Sequence, residues 1–351
     1  MTNACPPRAG LPARGAAAGI GGVRKLWARF AEPVTGPLFA ALLLLAGFYA
    51  FVGWDQSHWW RAKEDYSFGW IVPAFVIFVV HDRWPKIVAA VAACAAPGSA
   101  RAAGPGRWLL GLAAGGALLA GAGLFLLGAL YRAGAGSSQP GTLALTLGAA
   151  AIALPLIWLN APAAPAPTPV APWRDARVRL AGLFVFPVLV WLVSAPMVSA
   201  VESQLNLFLL RKVVTVVSFV FDVLGLPLEQ QGNVLLLPNG GRVGVEDACS
   251  GIRSLTGCLF AGSFLAAVFL DRLWKKVALV AAALGLAFLT NLGRGLFLTA
   301  WAYNHGADAI EGTVHDVAGY AVLGLTVAGL LCLLPLFNLR FDDEAPETRP
   351  E

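Results

Sequence analysis

Three side chains in this sequence could, if brought together, act on a single amide bond: the thiol of Cys249, the guanidinium of Arg294 and the imidazole of His315. A thiolate attacks the carbonyl carbon, a fixed cation holds the charge that develops on its oxygen, and an imidazole carries the proton between thiol and leaving amine. Cys249 stands in Val245-Glu246-Asp247-Ala248-Cys249-Ser250-Gly251-Ile252-Arg253-Ser254-Leu255, directly ahead of an apolar run. Asp247 has the type and position of an N-cap. That would place Cys249 in the first helical turn, where unpaired N–H groups and the positive end of the helix dipole favour a thiolate. Arg253, one turn on, adds a positive charge on nearly the same face. The competing reading is a buried structural cysteine before a helix, since a free cysteine commonly behaves as an inert small hydrophobe.

Arg294 closes Asn291-Leu292-Gly293-Arg294, near the exit of a later apolar run, and Asn291 lies three residues before it on a neighbouring face. An arginine within a membrane-crossing helix costs roughly 2.5–3.5 kcal/mol on insertion scales, so it is by default a functional candidate. The alternative is an arginine that snorkels to the interface. His315 opens the last apolar run in His315-Asp316-Val317-Ala318-Gly319, a position where a histidine is otherwise an ordinary surface residue. Asp316, Asp247 and Glu246 are candidates for the acid that orients its ring. His305, in Tyr303-Asn304-His305-Gly306, is the competing histidine and ranks lower because the spacing places it in a loop.

The chain that must position these residues has 351 residues, is 58% hydrophobic and 13% charged, and has a mean hydropathy of +0.70. Such a composition defines an integral membrane protein. The net charge of +5 comes from Lys and Arg scattered between apolar runs, as orienting loop charges are, which argues against nucleic-acid binding. Cys5, Cys94, Cys249, Cys258 and Cys332 form no CxxC pair and no zinc-like spacing, so neither a metal nor an organic cofactor is implied.

The sequence predicts an all-α polytopic membrane protein with about eight transmembrane helices and a short extracytoplasmic β-hairpin before the sixth. Residues 1–36 form a basic cytoplasmic tail, 37–338 the transmembrane domain with its catalytic part at 230–325, and 339–351 a cytoplasmic C-terminal tail. The spans are Pro37 to Val52, a short one from Phe68 to Val80, Trp108 to Leu130, Leu143 to Leu159, Arg179 to Val193, Ile252 to Leu270, Val277 to Leu298 and Val317 to Phe337. Trp54, Trp59 and Trp60 form an interfacial belt, and Tyr66-Ser67 enters the bilayer or lies at its surface. Ile87 to Ala96 is too short to cross, and Ala161 to Pro172 is a stiff linker. Leu205 to Leu226, interrupted by Arg211-Lys212 and Asp222, suits an amphipathic or surface-lying helix. Val234 to Leu237 and Arg242 to Val245 flank Pro238-Asn239-Gly240-Gly241, a hairpin signal that delivers the chain to Cys249.

Of 25 Lys and Arg, a cytoplasmic N-terminus leaves outside, or at span ends, only Arg61, Lys63, Arg132, Arg211, Lys212, Arg242, Arg253 and Arg294. The positive-inside rule therefore favours that orientation, with both termini inside. It also places the start of the sixth span, the end of the seventh and the start of the eighth on the outer side, so Cys249, Arg294 and His315 share one depth on one face.

The order Glu246-Asp247-Ala248-Cys249-Ser250-Gly251-Ile252-Arg253-Ser254, then Asn291-x-x-Arg294, then His315-x-x-x-Gly319 resembles the exosortase/archaeosortase family of multi-span cysteine transpeptidases. The likeness covers residues 230–325 well and Tyr66 to about Val80 weakly. It implies a bacterial inner-membrane enzyme, its active site facing the periplasm, with Cys249 as nucleophile, Arg294 as transition-state stabiliser and His315 as third catalytic residue. Glu246, Asp247, Ser250, Arg253 and Asn291 support them. The implied partners are exported proteins that end in a sorting signal of short motif, apolar helix and basic end, of the PEP-CTERM type, together with an acceptor and the lipid bilayer. The chain departs from the family at Tyr66-Ser67-Phe68-Gly69, where many members have Tyr-Ser-His-Gly, so a role for that histidine is absent or moved. Two rival readings are an intramembrane cysteine protease that only hydrolyses, and a transporter or channel subunit that would not need Cys249.

Overall fold

The computed structural model describes residues 34, 36–164, 168–238, 240–244, 251–310 and 312–338. Seven of its helical stretches are long and apolar enough to cross a membrane: α1 (Gly36–Ala62), α4 (Pro105–Ala135), α5 (Gln139–Asn160), the pair α6–α7, α9 (Ile252–Phe269), α10 (Leu273–His305) and α11 (Thr313 to Phe337, ending at Asn338). The chain is therefore a multi-pass, mostly helical membrane protein. Many of its large apolar side chains, such as Leu109, Leu112 and Leu119 of α4, point outward, as side chains facing lipid must.

Between α1 and α4 lie a 3₁₀ segment (Glu64–Ile71), α2 (Val72–Asp82) and α3 (Trp84–Ala95). Alone, the 11 residues of α2 are too few to cross. Together with the 3₁₀ segment, however, α2 runs beside the whole of α9. At one end Thr256 Oγ1 donates to the Asp65 carbonyl (3.0 Å), and at the other Arg83 Nη2 donates to the Ala267 carbonyl (3.1 Å). Between these ends Phe75 stacks on Phe264 at 4.0 Å and on Phe260 at 5.1 Å. Gly69 is required here, because a Cβ would collide with the buried Trp60 indole.

The fifth apolar run is broken into α6 (Ala176–Gly182) and α7 (Val185–Ser194). Pro187 explains the break: it has no N–H for the Leu183 carbonyl four residues back, and its ring crowds that oxygen. Arg83 Nη1 supplies the missing donor at 2.8 Å. The run ends at Ser194, just ahead of Pro196 as expected.

The N-terminal half is held by apolar packing and by a buried polar lattice. Asp55 and Gln56 of α1 are 1% and 0% exposed. Thr142 Oγ1 of α5 donates to Asp55 (2.5 Å), Arg132 Nη1 of α4 pairs with its other oxygen (2.9 Å), and Gln56 bridges Thr146, Ser194 and the Trp191 carbonyl. Helices α4 and α5 approach closely because Gly148 lets the backbone of Phe125 in; a Cβ there would stand 2.5 Å from the Phe125 nitrogen.

Two connections differ from expectation. The Ala161 to Pro172 linker contains a strand, β2 (Thr168–Val170), paired in parallel with β1 (Ala100–Ala102) of the preceding loop. The expected hairpin belongs to a three-stranded antiparallel sheet, with β3 (Glu229–Gln231) on β4 (Val234–Leu236) and β4 on β5 (Arg242–Gly244). The added strand is Glu-Gln-Gln, fully exposed, with no apolar alternation to mark it in the sequence. Ahead of the sheet, α8 (Ser199–Val223) is not among the seven apolar helices. It buries Leu210, Val213, Val214, Val217 and Phe221, a single stripe at helical spacing, as the amphipathic reading requires.

Candidate active site

Helices α10 and α11 pack against each other, and their facing turns bring Arg294 and His315 together: Arg294 Nη2 lies 2.9 Å from His315 Nε2 and 3.5 Å from the His315 carbonyl. A guanidinium has no acceptor, so Nε2 of the ring must accept the Arg294 proton. The ring proton of a neutral His315 therefore sits on Nδ1, which faces Asp316 Oδ1 at 3.6 Å. Asp316 is thus the carboxylate at His315, one of three considered from the sequence; Glu246 and Asp247 lie outside the described residues.

Arg294 pairs with no carboxylate among the described residues, and its Nε is buried without a hydrogen-bond partner among them. Gly319, one turn after His315, faces the guanidinium: a Cβ built there would stand 3.7 Å from Nη2, an ordinary contact distance. Asn291, one turn before Arg294, is buried at 4% exposure. The seventh run is longer than the sequence suggested: α10 continues past Leu298 to His305. Its 33 residues measure about 50 Å at 1.5 Å each, against a hydrocarbon core of about 30 Å. Arg294 stands three turns before that helix ends. It does not snorkel outward but turns to α11.

The competing histidine, His305, is the last residue of α10 rather than a loop residue. It is exposed, bonds the Trp301 carbonyl through Nδ1 (3.1 Å) and stacks on the Trp301 ring at 4.3 Å. These contacts stay on its own helix, away from Arg294.

The thiol-bearing stretch is described only at its edges. Cys249, Glu246, Asp247 and Ser250 lie outside the described residues. Helix α9 begins at Ile252 with Gly251 as N-cap at φ +61°, a left-handed conformation suited to glycine. The expectation that Asp247 caps this helix is thereby corrected: the cap is Gly251, and Cys249 precedes it by two residues instead of sitting in the first turn. A left-handed cap favours glycine, whereas the general N-cap preference favours Asp, and the two rules compete at this boundary.

Arg253, in the first turn of α9, is tied to the 3₁₀ segment rather than to Arg294 or His315: it pairs with Glu64 and, at 3.5 Å, with Asp65. Tyr66 is fully buried, and its hydroxyl accepts from the Met197 N–H (3.0 Å). Glu64, Asp65 and Thr256 fix the start of α9 and were not singled out in the sequence. The only signal was an acidic pair beside the Tyr-Ser-Phe-Gly stretch and a lone arginine after the cysteine.

The cluster that binds β4 and β5 to the helices joins Leu235, Leu237 and Val243 to Leu298 and Ala302 of α10 and Ala318 of α11. The same cluster takes in Leu210, Val213, Val214, Val217 and Phe221 of α8, so the sheet and the α10–α11 pair share one apolar core. Among the described residues no His, Cys, Asp and Glu form a group able to hold a metal.

A family model for transmembrane exosortases matches residues 59–332, well over half of the chain, which includes α9, α10 and α11 almost entirely. The protein belongs to the transmembrane exosortase family. No curated protein and no solved structure matches it.

Proposed function

We propose that this protein is a membrane-embedded cysteine transpeptidase that cleaves the C-terminal sorting tail of exported proteins through an acyl-enzyme and passes them to an acceptor. The observation that carries this reading is the Arg294–His315 pair between α10 and α11, an arginine held against an imidazole with no carboxylate among the described residues to cancel its charge. Chain length ties Cys249 to the start of α9, the helix that packs against both α10 and α11. One residue separates it from Gly251, the cap of α9, so at most about 7 Å of extended chain lies between them. On the other side, Val243 of β5 packs in the cluster that contains Leu298 and Ala318.

In the reaction, the Cys249 sulfur forms a bond to the scissile carbonyl carbon and its proton passes to His315. Arg294 holds the negative oxygen of the tetrahedral intermediate with its guanidinium N–H groups. Collapse breaks the C–N bond, and His315 returns the proton to the departing amine, leaving a thioester on Cys249. An acceptor nucleophile then attacks the thioester and regenerates the thiol. Because Arg294 occupies Nε2, that nitrogen becomes a proton acceptor when the guanidinium moves from the ring to the oxyanion, which couples the two roles. Glu246, Asp247, Ser250, Arg253 and Asn291 support the three residues, with Arg253 acting by fixing the start of α9.

The orientation follows the Lys and Arg distribution: the N-terminus is cytoplasmic, the 3₁₀–α2 unit completes eight crossings, and the site opens to the periplasmic side of the inner membrane. The sorting tail, an apolar helix with a basic end, packs against small residues of the bundle. The test is processing of a tail-bearing precursor in cells that carry Cys249→Ala, Arg294→Ala or His315→Ala. Cleavage is expected to stop in the first two and to be severely impaired in the third, with all three variants inserted in the membrane. Continued processing by the Cys249 variant would exclude the assignment. A cleaved product with a free carboxylate, rather than a conjugated terminus, would make the enzyme a hydrolase.

A further inference from the structure

On the face opposite the candidate active site, three arginines converge on a cavity of about 260 Å³ at the start of α4: Arg101 of β1, Arg107 in the first turn of α4 and Arg177 in the first turn of α6, with Pro169 of β2 closing one wall. The cavity is assembled by the unexpected β1–β2 pairing. Gly106 completes it by letting Pro172 approach α4 so closely that a Cβ would stand 2.7 Å from the proline ring.

The charges there do not cancel. Arg177 is neutralised by Asp175 at 3.2 Å, with its guanidinium stacked 4.4 Å from the centre of the Trp158 ring. Arg101 and Arg107 pair with no carboxylate among the described residues. Arg101 Nη2 bonds the Pro162 carbonyl (3.1 Å), but its Nε is sealed from solvent without a hydrogen-bond partner among the described residues. Burial, then the charge of Arg177 and, more weakly, that of Arg107, lowers the proton affinity of Arg101, and the nearby Asp175 carboxylate, already paired with Arg177, offsets this only in part. The N-terminus of α4, a helix of 31 residues, has no side-chain cap and adds its positive dipole end to the same wall.

We propose that this cavity binds the phosphate of an anionic phospholipid headgroup. The surroundings favour a lipid over free phosphate. Trp108 and Trp173 stand 76% and 74% exposed beside it, as interfacial tryptophans do, and Leu109 and Leu112 of α4 continue from it as an exposed apolar track for acyl chains. By the Lys and Arg distribution this is the cytoplasmic leaflet, where one Lys or Arg near the anionic surface changes binding about fivefold. A lipid held there would bridge α4, α6 and the β1–β2 pair.

Native mass spectrometry of the detergent-purified full chain, titrated with phosphatidylglycerol or phosphatidylcholine, tests the site. Wild type is expected to bind phosphatidylglycerol at least about fivefold more tightly. Arg107→Gln, exposed and without a side-chain hydrogen bond to lose, is expected to weaken phosphatidylglycerol about fivefold. Arg101→Gln should do at least as much, while Lys275→Gln, a basic change at the start of α10, should stay within about twofold. Equal affinity for the two lipids, or Arg107→Gln and Arg101→Gln proteins that bind like wild type, would overturn the site. Displacement of phosphatidylglycerol by millimolar inorganic phosphate would assign the cavity to the free ion and overturn the lipid part.

Discussion

Two arginines, Arg132 in the N-terminal half and Arg294 in the C-terminal half, sit inside apolar helices and are treated in opposite ways. Arg132 of α4 meets the buried carboxylate of Asp55 at 2.9 Å, and Thr142 satisfies the other oxygen of that acid. Arg294 of α10 meets an imidazole at 2.9 Å and no acid among the described residues. Arg132 lies in the last turn of its helix and Arg294 three turns inside its own, and both guanidinium groups are partly withdrawn from water at a cost. Only the first recovers it as an ion pair, so the first holds helices together and the second keeps its charge for another anion. Replacing each by alanine should separate the roles most sharply. Arg294→Ala is expected to lower precursor cleavage by at least about a hundredfold, as loss of a transition-state donor does, with little change in the thermal unfolding of the purified protein. Arg132→Ala leaves Asp55 buried and unpaired and should cost about 3–5 kcal/mol of stability, while the surviving folded protein still cleaves. An unstable, active Arg294 variant beside a stable, inactive Arg132 variant would invert the comparison.

His315→Gln sharpens it from the imidazole side. A glutamine carbonyl can accept from Arg294 as Nε2 does, so unfolding should move little, whereas no proton can be carried and cleavage should fall by about 10²–10⁴-fold. Cleavage retained in this variant would reduce His315 to a prop for the arginine.

A third ionic site, the one that caps α6, behaves like the Arg132 pair and should show it in pH. Asp175 is fully buried; that burial alone would raise its carboxyl, but the Arg177 side chain and the N–H groups of Ala102 and Arg177 outweigh it and hold the group below its ordinary value. A carboxyl depressed in the folded state contributes stability above its unfolded value, near 3.9, and loses it as pH falls through the lower folded value. Wild type is therefore expected to lose stability between about pH 4 and the acid limit of the fold, and Asp175→Asn to flatten that decline when unfolding is followed against pH. An identical acid limb in the variant would show that other carboxylates set it.

What could be read from the sequence divides along physical lines. The crossing helices were legible because each needs about 20 apolar residues in one stretch, a signal that no tertiary context erases. The amphipathic character of α8 was legible in Arg211, Lys212 and Asp222 for the same reason. The short strands were not: β1 and β2 are three residues each, and their parallel pairing joins positions 100 and 168, which no local pattern connects. The break between α6 and α7 was half legible, because Pro187 marks a lost hydrogen bond but not the arginine, 104 positions upstream, that replaces it. At the candidate site the residue types pointed to Arg294 and His315, and their contact follows from two neighbouring antiparallel helices. Gly251 as cap was not legible, because a left-handed glycine and an acidic N-cap compete for the same boundary and local sequence alone favours the aspartate.

The smallest expected effect lies at Arg253, the cation nearest the cysteine in sequence. Its side chain is 60% exposed and its partner Glu64 80%, so water and salt screen the pair and its worth to stability is below about 1 kcal/mol. Arg253→Gln should therefore barely move thermal unfolding. It should still loosen the start of α9 from the 3₁₀ segment, because Asp65, only 26% exposed, keeps the Thr256 contact at its carbonyl and loses the charge that compensates its burial. If Arg253 serves by positioning, cleavage falls severalfold, and Arg253→Lys recovers most of it, since an ammonium can still reach an exposed carboxylate. If it meets the oxyanion as Arg294 is proposed to do, the loss approaches that of Arg294→Ala, and lysine, a point charge without the planar fork, restores little. The ratio of the two variants thus decides whether the site has one working arginine or two.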